Sequence, residues 1–106
     1  MATIETNDGS FFNISNKFLQ DCRVLYMMTE DSTGIVPLPT INTNVFLNIL
    51  NFSENGRLLN YNTVREVIIA ADYLNYTDLI EHCAEYIAKY IIKGKTVKEI
   101  REYFVA

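Results

Sequence analysis

The chain has 106 residues, 49% of them apolar and 21% charged, with a formal net charge of −4. That length and balance suit one compact domain with a buried core, read here as a single unit over 1–106, and argue against disorder. The acidic balance does not attract phosphate backbones and no apolar run is long enough to span a bilayer, so neither nucleic acid nor membrane is an expected partner.

Ile4 to Thr6 and Phe11 to Ile14 read as two short strands. Between them Asn7-Asp8-Gly9-Ser10 carries Asp-Gly, a hairpin signal, because glycine tolerates the positive φ of a tight turn. Ser15 or Asn16 then caps a helix. Phe18, Cys22, Leu25 and Met28 recur at spacings of four, three and three, which predicts one buried stripe with a break near Gln20-Asp21. Asp31 to Gly34 is a loop. Ile35 to Leu38 is a short extended piece, and Pro37 places it at a sheet edge. Asn42 starts a helix with Val45, Phe46, Ile49, Leu50 and Phe52 at its apolar positions, ending near Asn55-Gly56.

The remainder reads as helical. Thr63 and Glu66 have the spacing of a capping box, followed by Val64, Val67, Ile68 and Ala71 on one face. Asn75 to Asp78 separates this helix from another, whose apolar positions include Ile80, Cys83, Ala84, Ile87 and Ile91, and Gly94 ends it. Thr96 and Glu99 repeat the box spacing before Val97, Ile100 and Phe104. The hairpin, first helices and edge strand thus occupy about 1–60 and the C-terminal helices about 61–106. The predicted class is α+β, a small, mainly antiparallel sheet covered by helices.

Reactive chemistry is missing. The single histidine, His82, has no nucleophile or ligand cluster around it in sequence and reads as incidental. A zinc site from Cys22, His82 and Cys83 lacks a sensible spacing and a fourth ligand, so no metal and no cofactor is expected. Both cysteines read as reduced, buried thiols. Lys93-Gly94-Lys95-Thr96 lacks the upstream glycine and preceding strand of a phosphate loop. The seven tyrosines and six phenylalanines do not alternate with basic residues along a strand, as a base-stacking platform would require. The start of the chain lacks a signal-peptide pattern, so the three Asn-x-Ser/Thr matches, at Asn13, Asn51 and Asn75, are discounted and cytosol, with or without nucleus, is the expected location.

One resemblance covers nearly the whole chain. Ile91-Ile92-Lys93-Gly94-Lys95-Thr96 followed by Glu99-Ile100-Arg101, then Ile69-Ala70-Ala71-Asp72-Tyr73-Leu74, Val36-Pro37-Leu38-Pro39 and Asp8-Gly9 match elements of one family in its own order. The chain resembles the SKP-one (S-phase kinase-associated protein) adaptors of SCF ubiquitin ligases. That resemblance implies a BTB/POZ-type fold and a bridging role without chemistry, one face binding the N-terminal region of a cullin and the C-terminal helices an F-box protein.

Carried over by position, the cullin-binding residues are Asp72, Tyr73, Pro37 and Leu38, and the F-box-binding residues are Val64, Ile68, Ile80, Ile87 and Ile100. Asp72 stands where the family has asparagine, and Arg65 where it usually has an aromatic residue. Family members continue through two more helices, whereas this chain stops at Ala106, a shortened C-terminus relative to that pattern. The alternative is a self-associating BTB structural module, a possible homodimer, or a decoy that binds a cullin and recruits no F-box protein.

Overall fold

Strand-favouring residues on either side of a glycine turn start the fold. In this computed structural model, which describes residues 2–31 and 34–104, β1 (Ala2–Thr6) pairs antiparallel with β2 (Phe11–Ile14). Ile4 faces Phe12 across the ladder and Glu5 faces Phe11. Gly9 has φ +86°, the left-handed region that side chains resist, and the Thr6 N–H donates to the Ser10 carbonyl at 2.9 Å to close the turn. Alternation sends Ile4, Thr6 and Ile14 to the core and leaves Phe11 and Asn13 outside.

β3 (Ile35–Leu38) lies on the far side of β1, giving the order β2-β1-β3. Its edge position suits Pro37, which has no N–H to give a second neighbour. It runs parallel to β1, with Ile4 opposite Val36 and Thr6 opposite Leu38. The sheet is therefore mixed, where a mainly antiparallel one was expected. Two helices intervene between β2 and β3, and that crossover returns the chain in the direction of β1.

Those helices are α1 (Asn16–Asp21) and α2 (Arg23–Asp31). The Ser15 hydroxyl caps α1 by accepting from the Phe18 N–H at 3.2 Å. The break falls at Cys22, just after the predicted Gln20-Asp21, where φ −110° and ψ 86° leave the helical region. Asp31, the first residue of the predicted loop, still belongs to α2, and Ser32 and Thr33 lie outside the described residues.

α3 (Thr43–Asn55) has both ends its sequence predicts. Asn42 accepts from the Val45 N–H at 2.9 Å, and Gly56, at φ +75°, takes the left-handed C-terminal position. Its residue Phe46 is fully buried and meets the rings of Phe12 and Phe18 at 5.1 and 6.0 Å, joining helix, sheet and α1 in one core.

Asp8 clasps the hairpin turn to the start of α3. Its carboxylate accepts from the hydroxyls of Thr6 at 2.6 Å and Thr43 at 2.7 Å and from the Thr43 N–H at 3.2 Å. Those bonds, the Thr6 hydroxyl first, lower its pKa to about 2 from 3.8. A depressed folded-state pKa contributes stability above the unfolded pKa and loses it as pH falls toward the folded one. Asp8→Ala is therefore expected to lower the melting temperature at neutral pH, and the gap from the parent chain is expected to close between about pH 4 and pH 2. Melting curves across that window check it.

α4 (Val64–Tyr73), α5 (Thr77–Tyr90) and α6 (Val97–Phe104) complete the chain. The capping box expected at Thr63 does not form: Thr63 has φ −111° and ψ 27°, short of extended geometry, and its hydroxyl lies 3.5 Å from the buried Asn48 amide instead. The box at Thr96 does form, with Thr96 Oγ1 accepting from the Glu99 N–H and Glu99 Oε1 accepting from the Thr96 N–H, both at 3.1 Å. These bonds hold the Glu99 carboxyl below its ordinary range. α5 ends at Tyr90, ahead of the predicted Gly94, and the N–H groups of Ile91 and Ile92 both return to the Ile87 carbonyl.

Candidate docking site

α4 decides what this molecule shows to a partner. Val64, Val67, Ile68 and Ala71 recur at helical spacing and turn inward, each no more than 2% exposed. The opposite, exposed face follows from the same geometry and carries Arg65, Glu66, Ile69, Asp72 and Tyr73. Ile69 is 53% exposed and Tyr73 43%, a large apolar area to leave in water on a helix whose other face is so completely buried.

A groove of about 440 Å³ runs along this face. The β3–α3 connection gives it Thr40 and Asn42, α3 gives Val45, and α4 gives Glu66, Ile69, Ala70, Asp72 and Tyr73. Asn42 is the α3 cap, so one wall is fixed by the hydrogen bond that starts a helix. The other wall is held by the buried stripe of α4. Rigid elements thus set the groove, with apolar floor and polar rim.

Of the residues expected on the cullin face, Asp72 and Tyr73 meet in this groove. Pro37 is exposed on β3 and lines a separate recess of about 210 Å³ with Glu5, Thr6, Asn7, Leu38 and Pro39, Leu38 at its buried base. Leu38 is corrected: its side chain is 0% exposed, because alternation along β3 turns it into the core beside Val36. Ile69 was not among the expected residues. Its signal was available, since it is an apolar residue one position off the buried stripe of its own helix.

The expected F-box face needs a larger correction. Val64, Ile68, Ile80, Ile87 and Ile100 are all buried, at 2, 0, 5, 0 and 1% exposure. These residues of α4, α5 and α6 belong to the hydrophobic core. Arg101 of α6 also pairs with Glu81 of α5. The open surface nearby is a groove of about 470 Å³ beside α6, lined by Ile92, Lys95, Glu99, Ile100, Glu102 and Tyr103. Ile100 alone of the expected five reaches it.

His82 has a packed setting that its sequence context does not reveal. Its Nε2 lies 2.7 Å from the Tyr61 hydroxyl, and its ring lies 5.0 Å from Phe52 and 5.9 Å from Tyr61. Tyr61 stacks on Tyr86 at 4.1 Å, so these rings fasten the α3–α4 connection to α5. Among the described residues no three His, Cys, Asp or Glu side chains are grouped to hold a metal ion, and no helix is long and apolar enough to cross a membrane. Cys22 and Cys83 are buried free thiols. Burial pushes both up to about 12, with Asp21 adding to the shift at Cys22, so both stay protonated and unreactive.

The chain is similar to known proteins along nearly its whole length. The BTB/POZ domain model matches residues 10–91. The chain is 25% identical to SKP1-like protein 11 of Arabidopsis thaliana over 98% of its own length and 82% of that protein. It is 23% identical to SKP1-like protein 9 of the same plant, covering 95% of this chain and 80% of that one. SKP1-like protein 1 of Oryza sativa subsp. japonica is likewise 23% identical, over 98% and 82%.

Proposed function

The chain belongs to the BTB/POZ domain family, and on that premise we propose that it is an adaptor subunit of a cullin-RING ubiquitin ligase of the SCF type. It binds the N-terminal region of a cullin through the α4 groove and holds a substrate receptor of F-box type through the groove beside α6. It acts by binding and transforms neither partner. The likeness to SKP1-like proteins along nearly the whole chain supports the choice of ligase. The observation that carries it is the exposed pair Ile69 and Tyr73 beside Asp72 on an otherwise buried helix.

Tyrosine suits such a contact, since its ring buries a large area at little entropic cost while the hydroxyl stays hydrogen-bonded. Tyr73→Ala is expected to weaken binding of a cullin N-terminal region by about tenfold or more, the range of an anchor residue. Its circular dichroism should match the parent, because the side chain is exposed. Calorimetry on the purified proteins checks both. A parent chain that binds no cullin at micromolar concentration would overturn the assignment.

A self-associating module has one observation in its favour. Phe11 and Ile35, at 57 and 48% exposure, sit on the outer side of the sheet, away from both grooves. A stable homodimer in light scattering, unchanged by Tyr73→Ala and without affinity for a cullin, would favour that reading.

A further inference from the structure

The rim of the α4 groove carries a charge pattern with a consequence for its partner. Glu66, Ile69 and Asp72 are spaced by three residues, so an exposed apolar side chain stands between two carboxylates on one stripe. Glu66 and Asp72 stand about 9 Å apart along the helix axis, six residues at about 1.5 Å each. No lysine or arginine is among the residues lining the groove, and the one base of α4, the exposed Arg65, lies outside that lining. Both ion pairs among the described residues lie elsewhere, at Lys95–Glu99 and Arg101–Glu81.

The two acids differ in what the helix itself explains. Glu66 is in the first turn of α4, where the positive end of the helix dipole favours a carboxylate. Asp72 is in the last turn, where the dipole opposes one, and no basic residue stands in that turn to offset it. A partner that covered Ile69 and Tyr73 with apolar groups alone would add a desolvation cost at both carboxylates.

We infer that Asp72, assisted by Glu66, makes this groove selective for a partner segment that presents an apolar side chain flanked by lysine or arginine. This rests on the docking role proposed above and adds a specificity to it. The apolar residue covers Ile69 and Tyr73. The cations neutralise the rim and steer the encounter, an effect that salt screens over about 8–10 Å.

The test measures association of the intact chain with the cullin N-terminal region at low and high ionic strength, by stopped-flow and calorimetry, for the parent, Asp72→Asn and Asp72→Asn/Glu66→Gln. The expected result is roughly three- to tenfold slower association at low salt for Asp72→Asn, slower still for the double variant, with a flatter salt dependence in both. Asp72→Asn should keep the parent's circular dichroism, because the side chain is exposed. Variants that bind like the parent at every salt concentration, while Tyr73→Ala still weakens binding, would overturn the selectivity and leave the docking role standing. A parent chain that binds no cullin overturns both.

Discussion

Phe46→Ala is expected to destabilise the chain by about 3–5 kcal/mol, the cost of deleting a fully buried aromatic side chain and leaving its cavity. Phe46 is 0% exposed, and its ring touches Phe12 from the sheet side and Phe18 from α1. No single neighbour can move to fill the space, because each is held by a different element. Domains of this size are stable by about 5–15 kcal/mol, so the loss takes a large part of the margin. Urea unfolding followed by circular dichroism should show a lower midpoint with an unchanged slope, meaning less stability with the same surface exposed on unfolding. A loss below about 1 kcal/mol would show that the site collapses around the smaller side chain, against the packing described.

Asn48→Ala is expected to cost about 2–3 kcal/mol through a different mechanism, the loss of hydrogen bonds made by a buried polar side chain. Asn48 is 2% exposed, one of two buried polar residues among the described residues, with Thr6. Its Oδ1 accepts from the N–H groups of Leu59 and Asn60, at 2.9 and 3.2 Å, and its amide donates to the Asn44 carbonyl at 3.2 Å. It thereby ties the α3–α4 connection, which has few ladder bonds of its own, to the middle of α3. Removing the side chain leaves two backbone donors without that acceptor, and their partial access to water moderates the cost. Hydrogen exchange supplies the specific readout. The Leu59 and Asn60 amides should exchange faster in the variant than the amides of α5, if the residue fastens this connection. Uniform acceleration across the chain would instead assign it a role in global stability alone.

The candidate site was only partly legible before the chain was folded. Asp72 and Tyr73 were identified through family resemblance, and the fold exposes both beside one groove. Ile69 was missed because attention to the buried stripe of its helix passes over the residue that breaks it. The expected F-box residues failed for a related reason. Val64, Ile68, Ile80, Ile87 and Ile100 have the apolar character and spacing of a docking stripe, which is also the character and spacing of a core. Periodicity shows that residues share a face without showing whether that face meets another helix or solvent.

Signals that act within a few residues were decided by the amino-acid order alone. The Asp8-Gly9 turn, the Ser15 and Asn42 caps, Gly56 after α3, and the reciprocal Thr96–Glu99 bonds all formed where predicted. Each closes a short hydrogen-bonded ring or uses one residue's backbone freedom, so distant parts of the chain have little influence on it. The tertiary structure decided the direction of β3, the use of the Thr63 hydroxyl by Asn48, and the burial of Val64, Ile68, Ile80, Ile87 and Ile100. Those outcomes depend on groups far apart in sequence competing for the same partner or the same apolar surface. Only the packed chain settles that competition, because only there do the competing groups meet.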